Sequence, residues 1–410
     1  MNINWRRTAL GELETETGGV IQTGPFGSQL HMSDYLDEGT PVVMPTNIRD
    51  MRIDPTDIAR VGDEHVDRLV RHQLRPGDIL YSRRGDVEKC ALVTEHETGW
   101  LCGTGCLLVR VQGEHIDTRF LAYQLSTPAK RGWIRQHAVG LTMLNLNTGI
   151  LREIPIELPD FEEQRRIAGV LGALDDKIES NQTVVTRAEQ LIDEIAKQKA
   201  TDLPTVALSE VCSLSKSTWK PDTSSDQTVH LFSLPAFDGG AVPEQVPVSS
   251  IKSNKTLMDR PGILVSRLNP RISRMWWVET DATPVSVCSP EFAYLTAGDM
   301  HGLTCTWLAV RSPEFRGEIV DRVTGTSGSH QRVRPADLMT IGVPDYRSLA
   351  EHTQMTVLTL LHLLSARRQQ SVALAELRDA LLPELMSGRM RVDEAGCLVS
   401  EALDEEVADV

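Results

Sequence analysis

Two long stretches of the chain carry apolar residues at helical spacing. Between about Glu162 and Lys199, the positions Ile167, Leu171, Leu174, Ile178, Asn181, Val185, Ala188, Ile192 and Ile195 step alternately by four and three. A heptad seam kept up this long predicts a helix that pairs with another helix, where an ordinary surface helix would drift off a strict repeat. Asn181 is its single polar member, and a buried asparagine at a seam costs stability while fixing register. A second stretch, about Leu349 to Met386, is less regular. Leu360, Leu363, Leu374, Leu377 and Leu381 share one seam there, interrupted by Arg367 and Gln370. At 1.5 Å per residue each helix would be ~55 Å long. Neither can bury its stripe against one ordinary domain, so the two are expected to pair antiparallel. Pro383 and Gly388 mark the expected end of the second.

The remaining sequence reads as mixed structure with more strand than helix. Short β-rich runs such as Pro41–Pro45, Ile79–Tyr81, Cys106–Val111 and Gly262–Ser266 alternate with Gly, Pro and Asp turns. Short helices are expected near Asp117–Gln124 and Pro128–His137, with counterparts near His301–Arg311 and Pro313–Val323. Those counterparts belong to an internal repeat. Arg75-Pro-Gly-Asp-Ile-Leu-Tyr-Ser-Arg83 returns as Arg260-Pro-Gly-Ile-Leu-Val-Ser-Arg267, one residue shorter. At an offset of 185, Pro128 matches Pro313, Arg131-Gly132 matches Arg316-Gly317, and Gly140 matches Gly325. Leu151 and Ile154 then match Leu338 and Ile341, and each half ends in a proline, Pro159 and Pro344, before its long helical stretch. The chain therefore reads as a tandem duplication of α+β class: two mixed α/β domains separated by two long antiparallel helices that form a coiled-coil spacer. The expected segments are 1–160, a central helix over 161–200, a second domain over 201–346, a distal helix over 347–388, and an acidic tail over 389–410.

Composition narrows the chemistry. The chain has 410 residues, 40% of them hydrophobic and 24% charged, an ordinary globular balance with room for more than one core. No run approaches the roughly 18 unbroken apolar residues of a membrane span. The twin arginine at Arg6-Arg7 is followed by polar and acidic sequence with no apolar signal core, so a cytoplasmic location is expected. Seven scattered cysteines, an odd number, read as buried reduced thiols, and Cys102 and Cys106 lack zinc-ligand spacing. The net charge of -15 argues against a protein that coats nucleic acid indiscriminately. The charge is uneven, however. Asp393–Val410 holds seven acidic residues and no basic one, whereas Lys252–Arg274 holds six basic against one acidic, and Lys130–Arg152 four against none. Local basic faces on an acidic chain remain compatible with docking on a duplex.

Catalytic signatures are missing from the sequence. There is no Gly-Lys dipeptide for a phosphate-cradling Walker A loop, no GxGxxG after a strand, and no Glu-x-Lys pair. Asn269-Pro270-Arg271 lacks the second proline and aromatic of an adenine-methylating loop. Gly325-Thr-Ser-Gly-Ser329 falls one glycine short of a nucleophile elbow, which removes a hydrolase built on Ser327. A binding protein fits better than an enzyme.

Particular motifs sharpen this. Gly24-Pro-Phe-Gly-Ser-Gln-Leu30, Gly39-Thr-Pro-Val42, Asn47-Ile48, Gly77-Asp-Ile-Leu80 and Leu158-Pro-Asp-Phe-Glu-Glu-Gln-Arg-Arg-Ile167 resemble the specificity subunits of type I restriction-modification systems. Leu377-Arg-Asp-Ala-Leu-Leu-Pro-Glu-Leu-Met-Ser-Gly-Arg389 is similar to the close of that family's distal helix. With the duplication, the resemblance covers nearly the whole chain. It implies a non-catalytic subunit whose two target-recognition domains read a bipartite site in double-stranded DNA. It also implies two adenine-methyltransferase modification subunits, which bring S-adenosylmethionine, and two restriction subunits, which bring ATP and Mg. No cofactor or metal is expected on this chain. The second half departs from the pattern: it begins Val206–Cys212 without Gly-Pro-Phe-Gly-Ser, and its helix junction lacks the Glu-Glu-Gln triplet. A duplicated coiled-coil adaptor, assembling a defence complex through protein contacts alone, is the alternative from another class.

Direct readout favours Arg forks on guanine and Asn or Gln on adenine. The loops after the matched glycines are the leading candidates: Thr142, Asn145 and Asn147 in the first half, and Ser327, Ser329, His330, Gln331 and Arg332 in the second. Arg83 and Arg84, and Arg267 with Arg271, follow matched strands and are candidate phosphate clamps. Phe26 and Ser28 lie in a turn that could bring backbone close to a duplex, and Lys216, near Trp219 and Lys220, occupies the corresponding place in the second half. Trp276-Trp277 could stack on a base, although an alternating strand more often turns one tryptophan into the core.

Overall fold

The computed structural model describes residues 5–49, 51–140, 143–222, 224, 226–280, 284–324 and 331–404. The chain divides into two compact units, Met1–Asp176 with Ala375–Val410, and Lys177–Leu374.

In the first unit the main sheet has the order Val20–Thr23, Cys106–Arg110, Ile79–Ser82, Cys90–Leu92, all antiparallel. The two inner strands, CLLVR and ILYS, are buried on both faces, so they read as continuous apolar runs with no alternation. A smaller sheet orders Leu101–Cys102, Thr40–Val43, Ala59–Val61 and Tyr35–Leu36. Between them lies a core of Val43, Ile48, Leu74, Leu80, Val93 and Leu108. A separate ribbon pairs Arg6–Ala9 with Pro155–Leu158. Helix Thr118–Ser126 starts where Asp117 accepts from the Phe120 amide at 2.8 Å. Helix Pro128–His137 starts behind Thr127, with proline in the first turn.

The second unit repeats this plan. Its main sheet runs Ser213–Leu214, Phe292–Thr296, Gly262–Ser266, Met275–Val278, again all antiparallel, and a ribbon pairs Thr205–Ala207 with Gly342–Pro344. The second sheet has five strands. Helices Met300–Arg311 and Pro313–Asp321 are capped by Asp299 and Ser312, as the first unit's are by Asp117 and Thr127. The shared order, strand for strand and cap for cap, is the duplication in three dimensions. Trp276 and Trp277 are both buried, one in each of two core clusters, so neither is placed to stack on a base.

The central helix runs unbroken from Phe161 to Ala200 and the distal helix from Glu351 to Met386. Within the first unit, Ile167, Leu171 and Leu174 are buried, as are Leu381, Leu382 and Leu385 of the distal helix. Asp175 accepts from Arg378 at 2.7 Å and from the Tyr123 hydroxyl. Within the second unit, Ile178, Asn181, Ala188 and Ile192 are buried, Val185 is half-buried, and Asn181 donates to Gln370 at 2.7 Å. Tyr346, ahead of the distal helix, donates to the carbonyl of Ala196 at 2.8 Å, so the distal helix advances while the central one recedes.

Two expectations need correction. The distal seam was read one residue out of register over most of its length. Leu361 and Leu364 are buried, while Leu360 and Leu363 are only half-buried, and Leu377 is half-buried beside Arg378. Leu374 and Leu381 are buried as the seam required. The true stripe passes Arg368, Ser371 and Arg378, whose polarity hid it, and the Leu360-Leu361 and Leu363-Leu364 doublets offer two equivalent stripes to a hydropathy reading. The acidic tail is not simply solvated either. Val392–Asp404 is a helix with Val392, Ala395 and Val399 buried, and Asp393 pairs with Arg166. Counting charge there concealed an apolar stripe at helical spacing.

Candidate nucleic-acid interface

The ends of the main-sheet strands bring the candidate residues together. In the first unit, Val20–Thr23 and Ile79–Ser82 both finish beside the start of the strand they flank. The Gly24 amide donates to Cys106 O at 2.9 Å and the Arg83 amide to Gly105 O at 2.8 Å. The Gly24–Leu30 turn and the Arg83–Gly85 turn therefore leave the same end of the sheet. A third segment joins them after helix Pro128–His137. Its loop closes through reciprocal Val139–Asn145 backbone bonds of 3.0 and 2.8 Å, and docks on the second turn as Leu146 donates to Arg83 O (2.9 Å) and Gly85 to Leu144 O (3.2 Å). Buried Leu146 pins the loop, and a Cβ on Gly140, at φ 126°, would meet Met143 O at 2.2 Å, so only glycine closes it.

The second unit builds the same junction. The edge strand departs from this likeness: Ser215 donates to Tyr294 O at 2.9 Å, two residues deeper along the central strand than the Gly24 bond to Cys106, so Lys216 falls at the place of Thr23, just ahead of the Gly-Pro-Phe-Gly-Ser position. Arg267 donates to Glu291 O (2.8 Å), Asn269 to Gln331 O (2.9 Å), Val333 to Arg267 O (3.0 Å), and Thr324 and Arg332 bond each other at 2.9 and 3.1 Å. Arg83, Arg84, Gly85, Asn145 and Leu146 thus correspond to Arg267, Leu268, Asn269, Arg332 and Val333. The serine before each turn bonds forward alike, Ser82 Oγ to Arg84 O at 2.7 Å and Ser266 Oγ to Leu268 O at 3.0 Å. Gly85 and Asn269 both take left-handed φ, 77° and 47°.

The side chains differ in availability. Phe26 and Ser28 are exposed, but the glycine ahead of them serves the protein itself, because a Cβ on Gly24 would lie 2.0 Å from Gly103 O. Arg84 is exposed and Arg83 half-buried, and neither guanidinium has an ion-pair or hydrogen-bond partner among the described residues. Asn145 is half-buried. Asn147 is exposed, but its Oδ1 is committed as the cap of helix Thr148–Arg152, accepting from Ile150 N at 3.0 Å. Lys216 and Arg271 are exposed, and Gln331 is half-buried. Arg267 spends its guanidinium on Val333 O (3.0 Å) and Pro290 O (2.9 Å), and Arg332 makes a bidentate pair with Glu291 at 2.8 and 3.0 Å. Thr142, Ser327, Ser329 and His330 lie outside the described residues. Among the described residues no cluster of metal-ligating side chains occurs, and no helix is long and apolar enough to cross a membrane.

The junctions fit what the chain is similar to. Residues 71–190, which include Arg83, Arg84 and the whole loop docked on them, match the family described as the type I restriction modification DNA specificity domain. That span is similar to this specificity domain. The chain is also similar to two curated relatives: a putative type I restriction enzyme MjaX specificity subunit of Methanocaldococcus jannaschii, 28% identical over 189 residues, and the type I restriction enzyme EcoBI specificity subunit of Escherichia coli, 24% identical over 151 residues. The first alignment covers 43% of each chain, the second 36% of this one and 29% of the relative, so the matches span less than half of either relative's length. The solved type I restriction-modification S subunit from M. genitalium shares the fold along 94% of this chain and 96% of its own, with a TM-score of 0.58 at 16% identity.

Sequence reasoning missed the role of one residue inside the matched span. Gln164 is buried, donates to Pro159 O at 3.0 Å and accepts from the Asp117 amide at 3.0 Å, tying the central helix to the helix pair beside it. Its counterpart is Gln354, also buried, donating to Leu349 O at 2.7 Å with the same five-residue reach. The second junction therefore keeps the glutamine of the Glu-Glu-Gln triplet, displaced past a short turn at Tyr346–Ser348 that the proline match did not allow for.

Proposed function

We propose that this chain is the DNA-recognition subunit of a type I restriction-modification enzyme, reading a two-part target in double-stranded DNA and scaffolding the subunits that act on it. The observation that carries this reading is the strand-end junction built twice, with the same backbone bonds and different side chains. A conserved frame with exchanged surface chemistry suits two half-sites of different sequence. Phe26, Ser28, Arg83, Arg84 and Asn145 would face DNA from the first unit; Lys216, Arg271 and Gln331 from the second, together with the hydroxyl and amide groups of residues 325–330.

The partners are two adenine-methyltransferase modification subunits, which supply S-adenosylmethionine and flip out the target base. Where restriction subunits join, they supply ATP and Mg. This chain supplies no catalytic residue and works in the cytoplasm. The test is to co-express it with its modification subunit in a methylation-free host and map N6-methyladenine across the genome. A single two-part motif with a fixed unread gap is expected, and exchanging residues 140–148 should change one half only. Co-purifying subunits without any motif would sink the reading and favour the protein-binding adaptor.

A further inference from the structure

The two junctions share a backbone but not a charge state. At three equivalent positions the first unit has Arg83, Arg84 and Asn145, and the second has Arg267, Leu268 and Arg332. Arg83 and Arg84 meet no carboxylate among the described residues. Arg332 meets Glu291 through two hydrogen bonds of 2.8 and 3.0 Å, and Glu291 also acts on the charge of Arg267. Arg332 holds the Glu291 carboxyl below the ordinary carboxylate range, so it is ionised at neutral pH. An arginine already paired with an ionised carboxylate presents no net charge, and a phosphate approaching it meets the repulsion of that carboxylate. Salt dependence counts net cations, because each phosphate neutralised by one releases condensed counterions.

Resting on the DNA-reading function above, we propose that of these matched arginines only Arg83 and Arg84 clamp the phosphate backbone, while Glu291 acts as an internal occupant that keeps Arg332 from it. The first unit then anchors the chain on the duplex, and at this junction the second discriminates with little electrostatic binding of its own. Arg271, exposed on the neighbouring turn, and Lys216 remain as cations of the second unit.

The experiment measures anisotropy of a fluorescein-labelled, mixed-sequence duplex against the full-length chain at stepped KCl concentrations. R83A/R84A should flatten the plot of log affinity against log salt by about 1.8, at about 0.9 per lost phosphate contact. R332A/E291Q, which removes both charges of the pair, should leave the slope at the wild-type value. Glu291→Gln, which frees Arg332, should steepen it by about 0.9. A flattening in R332A/E291Q equal to half that of R83A/R84A would overturn the proposal, as would an E291Q slope equal to wild type. The E291Q arm decides the matter even where an arginine variant fails to fold. Wild-type chain that binds no duplex at any salt would instead bring down the DNA-reading function itself.

Discussion

Asp78 is completely buried and is held by Arg110 through two hydrogen bonds of 2.7 and 2.6 Å, while the Arg75 amide donates to the same carboxylate at 2.8 Å. The aspartate of the Gly77-Asp-Ile-Leu80 motif is therefore a structural anchor at the far end of the sheet from the candidate interface. The second unit confirms the pairing by its loss. The matched run there is shorter by that aspartate, and the residue in Arg110's place is Thr296. Asp78→Ala should strand a mostly buried guanidinium and cost about 3–5 kcal/mol. The check is chemical denaturation of the single variant beside D78A/R110T, which copies the second unit and should recover much of the loss.

Asn181 and Gln370 pose a similar question for the helix pair. Asn181→Leu alone takes the 2.7 Å donor from the half-buried Gln370 Oε1, leaving it the longer bond from Arg367 at 3.2 Å, and should lower stability by about 0.5–1.5 kcal/mol. N181L/Q370L should match or exceed wild type, since the seam is then wholly apolar at that layer. If that double variant also kept a single oligomeric state by light scattering, the polar pair would have no role in register.

The cysteines give a prediction in pH. Burial pushes Cys90 and Cys305 up to about 11, and Cys102, Cys212 and Cys288 up to about 12. The thiolate is the reactive form, so these groups stay protonated and inert across the neutral range. Cys397 alone is exposed. A thiol reagent at pH 8 should find one fast site per native chain, lost in C397S, and the remaining thiols only after unfolding.

Glu14 and Arg152 predict an acid limit for the first unit. Arg152 bonds Glu14 at 2.6 and 2.9 Å and holds its carboxyl below the ordinary value of 4.5. A carboxylate depressed in the folded state stabilises fully above its unfolded pKa and loses that contribution as pH falls through the folded value. Thermal melts of wild type and E14Q should therefore differ at pH 7 and converge as pH drops below 4.5. A gap that stayed constant over that range would mean that the pair contributes nothing.

Much of this architecture is visible in the chain itself, and the misses share a physical cause. Helix 128–137 and its counterpart announce themselves by Thr-Pro and Ser-Pro starts, and the central helix by a seam in which eight of nine positions are apolar. The strand-end candidates Arg83 and Arg267 could be placed because the strands before them are buried runs with a shared serine. What pairs with a side chain is another matter. Nothing in local sequence shows that Glu291, forty-one residues upstream, occupies Arg332, or that Asn147 spends its oxygen on a helix cap. The distal seam misled for the converse reason: long polar side chains such as Arg368 and Arg378 sit in it because each reaches a carboxylate on the facing helix.

The C-terminal helix shows how that distinction can be tested. Asp393, Glu394, Glu401 and Asp404 make Val392–Asp404 look like a solvated appendage, yet Val392, Ala395 and Val399 are buried while Leu398 is 41% exposed. Burying a valine side chain is worth about 1.5–3 kcal/mol. Val399→Asp should therefore lower stability by at least that much, since the new carboxylate must be desolvated or the helix must detach. Leu398→Asp, one residue away, should change it by less than about 0.5 kcal/mol. Limited proteolysis supplies the second readout, with cleavage near Arg389–Arg391 faster in V399D and unchanged in L398D. Equal stability of the two variants would show that the helix does not stay docked in solution and that its acidity, not its apolar stripe, governs the segment.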